Sequence, residues 1–126
     1  MTKTRILATT YFALAVAGLI GTWSFNLAYD GGNYLGDWFA NDASSSAAVD
    51  IIAVLFVSFL LFFTEGRRIG LPWWLLILLV PLSIGGAVAF TLPLFLGIRE
   101  IKLASRRRAS KVTGEPAQTP SDAASE

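Results

Sequence analysis

Ala47–Trp74 reads AAVDIIAVLFVSFLLFFTEGRRIGLPWW, and this stretch decides the fold. An acid stands near its start, an apolar run follows, and an acid with two arginines and a tryptophan pair closes it. From Ile51 to Thr64 there is no charge, proline or glycine. A bilayer core of roughly 30 Å needs about 20 helical residues, and the run over 44–65 meets that length. A spanning backbone finds no hydrogen-bond partner in hydrocarbon, so the run is predicted to be helical. Ser44, Ser45, Ser46 or Asp42 can accept from a free N–H at its start.

Two acids bracket the run. Asp50 lies about one turn inside it, near the positive end of the helix dipole. An acid at a span centre costs about 2.5–3.5 kcal/mol, and less near an end. Asp50 therefore reads as an interface acid or as a polar group bonded to another helix. Glu65 follows fifteen positions later, roughly 22 Å along one helix, so the two acids cannot form a catalytic pair. Glu65 has the i,i+3 spacing to pair with Arg68.

Outward from this stretch, composition agrees. Of 126 residues, 54% are apolar and 15% charged, against about 25% charged in a soluble domain. Mean hydropathy is +0.58. There is no Cys and no His, which removes disulfides, thiolate chemistry, imidazole-held metals or haem, and nucleophiles that rely on histidine. No glycine-rich phosphate loop occurs, and no cofactor is expected.

Toward the N-terminus, Lys3 and Arg5 precede an apolar run over 6–27. A signal peptide is the rival reading, because Ala15-Val16-Ala17 resembles a cleavage site, but the apolar stretch continues past it. Ala13, Ala17 and Gly21 recur in steps of four and are predicted to let a second helix approach closely. The loop over 29–46 has three acids and no Lys or Arg. Within it Tyr34, Leu35, Trp38 and Phe39 are spaced for a short interfacial turn.

Toward the C-terminus, Glu65–Gly70 is a tight turn and Pro72 suits the first turn of a new helix. The uncharged run over 72–98 is predicted to be the third span. Pro81, Gly85, Ala89, Pro93 and Gly97 recur every four residues along it. They predict either a bent, closely packed helix or a broken one whose free carbonyls line a cavity. From 104 the chain turns basic and then polar, and 104–126 is predicted to be a disordered tail that attracts anionic lipid. The cluster is too short and too poor in aromatics for nucleic-acid binding.

Three spans raise an orientation conflict. Lys3, Arg5, Arg67 and Arg68 would share one side, while the six basic residues from Arg99 onward lie on the other. Either the tail side faces inward, or 72–98 is a re-entrant hairpin turning near Gly85-Gly86. The hairpin exposes backbone at membrane depth unless protein covers it. Three full spans remain the expectation.

Trp38-Phe39-Ala40-Asn41, Asp50, Glu65-Gly66-Arg67-Arg68-Ile69-Gly70, Trp74 and Leu92-Pro93-Leu94-Phe95-Leu96-Gly97-Ile98-Arg99-Glu100 form a pattern. It resembles a family of small bacterial three-span membrane proteins known only as a domain of unknown function, the one numbered 2834. The likeness covers roughly Ile6 to Glu100. It implies a three-helix fold, polar positions at Asn41, Asp50, Glu65 and Arg99, and no particular activity.

The reading is an all-α integral membrane protein, a bundle of three transmembrane helices over 1–103. It is multi-pass, in a bacterial inner membrane. Candidate polar positions are Asn41, Asp50, Glu65, Arg67 and Arg99. Candidate packing positions are Ala13, Ala17, Gly21, Gly85, Ala89 and Pro93. The expected role is a non-enzymatic structural or accessory subunit. Its partners would be the lipid bilayer and a homo-oligomer or larger membrane complex. The alternative is a binder or carrier of a small lipophile, motivated by the proline–glycine stripe and by Phe56, Phe59, Phe62, Phe63 and Phe90. An enzyme using Asp50 or Glu65 as a lone acid or base is a third reading.

Overall fold

The computed structural model describes residues 2–114. Over these the chain forms five helices: α1 Thr2–Ala28, α2 Tyr34–Asp37, α3 Asp42–Arg68, α4 Trp73–Gly86 and α5 Val88–Thr113. No strand occurs among the described residues. The helices α1 and α3 are long and apolar enough to cross a membrane. Both helices are largely exposed within the molecule, with 11% and 17% of their apolar stretches buried.

The start of α3 is set by Asn41, one residue before the expected caps. Its side-chain oxygen accepts from the Ser44 N–H at 3.0 Å, and Ser44 Oγ accepts from the Asn41 N–H at 3.2 Å. This reciprocal pair satisfies two donors that the first turn leaves free. The end of α3 is equally determined. Gly70 has φ 74°, a conformation that suits glycine because it lacks Cβ. Its N–H bonds the Arg67 carbonyl at 3.0 Å, and the Leu71 N–H bonds the Gly66 carbonyl at 2.9 Å. The paired bonds reverse the chain, and Leu71 is buried directly after them. Pro72 then caps α4 from just outside it, with φ −68° and ψ 147°.

The expected third span over 72–98 is not one helix. The chain breaks at Ala87, whose φ is 89°, and α5 folds back along α4. Two observations require this. Ser83 Oγ lies 2.6 Å from Thr91 Oγ1, whereas eight residues of straight helix would separate them by about 12 Å. Leu76 and Phe95 both abut Gly66, though a straight helix would hold them about 28 Å apart. The break falls beside Gly85-Gly86, each about 1 kcal/mol worse than Ala in a helix, and not at Pro81 or Pro93. The bundle of three transmembrane helices thus becomes two long helices and a helical hairpin. At 14 residues, α4 is about 21 Å long, too short to span a bilayer core.

The basic stretch also departs from expectation. Residues 104–113, expected in a disordered tail, continue α5, which ends at Gly114 with φ 66°. Ala, Arg and Lys are good helix formers, and the cations lie toward the negative end of the helix dipole. The rest of the expected tail, 115–126, lies outside the described residues.

Packing sets the register. On α1, Gly18 lies against the backbone carbonyl of Ala89, and Phe12 lies against Gly97, so α1 and α5 run antiparallel. The core sits where α3 ends and the hairpin begins: Phe62, Ile69, Leu71, Leu76, Leu79 and Phe95. Phe62 and Phe95 have ring centroids 4.9 Å apart.

Candidate functional site

The C-terminal turn of α3 and the emerging part of α5 bring charged side chains together. Glu65 is buried, and both its carboxylate oxygens are engaged. Oε1 accepts from Arg99 Nε at 2.7 Å, a contact across 34 positions, and Oε2 accepts from Arg68 Nη1 at 3.1 Å. Arg99 Nη1 also reaches Glu100 Oε1 at 3.3 Å. Arg106 Nη1 donates to the Arg68 carbonyl at 2.9 Å, one of the acceptors a helix end leaves free. Arg67 lies 5.0 Å from the centre of the Trp73 ring, a cation–π contact. The effect is a clamp that holds the mouth of the hairpin to α3. A carboxylate with two guanidinium partners is not free to act as a base. Among the described residues no cluster of His, Cys, Asp or Glu could hold a metal.

A second polar contact lies near the hairpin tip. Ser83 Oγ donates to the Leu79 carbonyl at 2.7 Å as well as meeting Thr91, and both residues are buried. No buried side-chain polar atom among the described residues lacks a partner.

Of the expected polar positions, the structure brings together Glu65 and Arg99, while Arg67, two residues on from Glu65, lies over Trp73 instead. Asn41 and Asp50 do not join them. Asn41 caps the opposite end of α3, and Asp50 is exposed with no side-chain partner among the described residues. The expected packing positions divide as well. Ala89 meets α1, and Pro93 lies half-buried one turn along. Ala13, Ala17, Gly21 and Gly85 are exposed, and nothing lies within 4 Å of a Cβ built at Gly21 or Gly85. The face of α1 that packs is instead Ala8, Ala15 and Gly18, with Tyr11 and Thr22 half-buried. Sequence reasoning missed Gly18, Ser83 and Thr91. The seven-residue spacing of Ala8, Ala15 and Thr22 was the available signal for the α1 face.

The phenylalanines that motivated a lipophile site have different surroundings. Phe59 and Phe62 pack in or against the core, Phe63 stacks on Trp73 at 5.7 Å, and Phe56 faces outward. An open, mostly apolar groove of about 320 Å³ occurs at the other end, lined by Tyr29, Tyr34, Trp38, Ala48 and Ile51. There the Tyr29 hydroxyl donates to Asp37 Oδ2 at 2.5 Å, which raises the phenol above its usual value.

Residues 10–101 match the model of a family described as a protein of unknown function, DUF2834. The chain belongs to the DUF2834 family. No curated protein and no solved structure matches it. In this DUF2834 chain the match takes in Asn41, Asp50, Glu65, Arg67, Arg99 and the hairpin as far as Ile101. It stops before Arg106, so the α3 carbonyl cap lies outside the matched stretch.

Proposed function

We propose that this chain is a multi-pass integral protein of a bacterial inner membrane, acting without catalysis as a small accessory subunit of a larger membrane assembly. In this reading α1 and α3 cross the bilayer, and the α4–α5 hairpin enters and leaves by one face. The observation that carries it is the hairpin's effect on charge. Folding back returns the basic stretch from Arg99 to Lys111 to the side of the N-terminus and the 69–72 turn. All ten Lys and Arg then share one end, and Asp30, Asp37 and Asp42 stand at the other. That is the asymmetry of a protein with its basic end in the cytoplasm. The conflict posed by three full spans disappears.

The accessory role is supported by the state of the polar groups. The one buried carboxylate among the described residues, Glu65, is paired with arginines of its own chain, and the groove under α2 is open to its surroundings. A lipophile in that groove would remain in contact with lipid, so binding and carriage are the weaker reading.

The chain has no native Cys, so single cysteines report topology cleanly. In intact cells a membrane-impermeant maleimide should label Gly32→Cys and spare Thr2→Cys and Gly114→Cys until the cells are lysed. Labelling of positions 2 and 114 from opposite sides would overturn the hairpin topology. Co-purification with another membrane protein in mild detergent tests the subunit role, and a clean monomer contradicts it.

A further inference from the structure

We infer that the face of α3 carrying Asp50 docks against a transmembrane helix of a different protein, one that bears a lysine or arginine at the depth of Asp50. The inference rests on the membrane reading above and names the partner's chemistry. Counting about 20 residues back from Glu65 puts the outer boundary of the bilayer core near Ser45. Asp50 then lies about 7.5 Å inside. Lysine can lift its charge that far on a long stem, but the short aspartate side chain cannot. Asp50 is exposed and has no side-chain partner among the described residues. A charged group at such depth ordinarily faces a partner and not lipid.

The surroundings of Asp50 show which surface is involved. At 100° per residue, Ser46, Asp50, Ala53, Val54 and Val57 share one exposed side of α3. Its side chains are small or β-branched, and Ser46 adds a second polar group one turn nearer the surface. Between Val49 and Phe56 the adjoining exposed arc, with Val49, Ile52 and Phe56, is apolar and suits lipid. The buried side, with Ser58, Phe62 and Glu65, already faces the hairpin.

Charge complementarity decides against a second copy. A parallel copy brings another Asp50, and no cation, to this depth. All ten Lys and Arg of the chain stand at the opposite end. An inverted copy would place those ten charges on the outer face, against the orientation tendency. A cation from another protein meets the requirement, and it is the arrangement in which membrane-embedded charges normally persist.

The test places a photo-crosslinking residue at Val54 in the full chain in native membranes, with Phe56 as the control position. The expected adduct at 54 joins the chain to a transmembrane segment of another protein, with a Lys or Arg within about one turn of the linked residue. Asp50→Asn should lower that adduct at least about tenfold, while Asp50→Glu retains it. Asp50→Lys combined with exchange of the partner's cation for Asp should restore it. Adducts only with a second copy, only with lipid, or with a segment lacking a cation would overturn the inference. So would an adduct indifferent to Asp50→Asn, or a loss of fold in that variant, which would reveal an internal partner. The cysteine labelling is independent of Asp50, so failure of the topology and failure of this docking surface are distinguishable.

Discussion

The two ends of the molecule are built differently. At the basic end, α1, α3, α4 and α5 converge, and the largest fully buried side chains, Phe62, Phe95, Ile69 and Leu76, lie together. At the acidic end, only one residue between Leu19 and Val57 is buried, Ala48. There α2 is tied back to the end of α1 and the residue that follows it. Tyr34 donates to Asn26 Oδ1 at 2.7 Å, and Tyr29 donates to Asp37. In a bilayer the apolar surface of a helix is content against lipid, so association depends on close backbone approach and on polar contacts. The basic end has both, through Gly18, Gly66 and Gly97 and through the Glu65 clamp. The acidic end has only the polar ties of α2, and its helices leave broad apolar surface exposed.

Two glycines three positions apart on α1 separate these regimes. A Cβ at Gly18 would strike the Ala89 carbonyl, which is backbone and cannot turn aside, whereas a Cβ at Gly21 meets nothing within 4 Å. Gly18→Leu should cost about 3 kcal/mol, at the upper end for overpacking. Gly21→Leu should fall within about 0.5 kcal/mol of the parent, aided by leucine's better helix propensity. Equilibrium unfolding in detergent measures both. Equal sensitivity at the two positions would erase the contrast between the ends.

The two acids of α3 sharpen it next. Glu65→Ala leaves Arg99 and Arg68 without their shared carboxylate. Breaking a fully buried pair costs about 3–5 kcal/mol, but the Arg99 side chain is 30% exposed, so about 1–3 kcal/mol is expected. Asp50→Asn in the isolated chain should change stability by less than about 0.5 kcal/mol, because no side chain among the described residues holds it. The same unfolding measurement compares them.

Much of this architecture is legible in the sequence. The length of the runs, the turn after Arg68 and the Glu65–Arg68 spacing follow from residue type and order. The charge conflict even points to a hairpin. Local grounds cannot favour that hairpin, because 72–98 is continuously apolar and long enough to span. Its break depends on contacts between residues far apart, Leu76 and Phe95 on Gly66 and Ser83 on Thr91. Arg99 as the partner of Glu65 is hidden for the same reason. The stripe of Ala13, Ala17 and Gly21 misleads because α1 packs with a seven-residue period on a neighbouring face. At residues 104–113, helix propensity and continuity with α5 outweigh polar composition.

The hairpin turn supplies a smaller prediction. Ala87 holds φ 89° with ψ 135°, which costs a residue with Cβ about 1–3 kcal/mol. Glycine removes that strain but loses more freedom on folding, about 0.4–1 kcal/mol. Ala87→Gly should therefore stabilise the chain by about 0.5–1 kcal/mol, seen as a higher melting temperature in detergent. Destabilisation would show that the break is placed elsewhere.

The smallest effect belongs to the acidic end and to pH. Tyr29 gives its proton to a hydrogen bond with Asp37, so ionising the phenol both breaks that bond and sets two negative charges together. Its pKa is raised in the folded state. The contribution to folding is therefore fully present below the unfolded phenol value of about 10, and it is lost as pH rises through the higher folded value. Phenolate absorbance should show Tyr29 titrating late, and Asp37→Asn should return it toward the ordinary value. At that pH the Tyr29–Asp37 tie should release α2 while the Glu65–Arg99 clamp holds, because arginine keeps its charge. Hydrogen exchange should then rise over 29–40 and stay unchanged over 62–66. Simultaneous loss of protection in both segments would mean that the two ends fold as one unit.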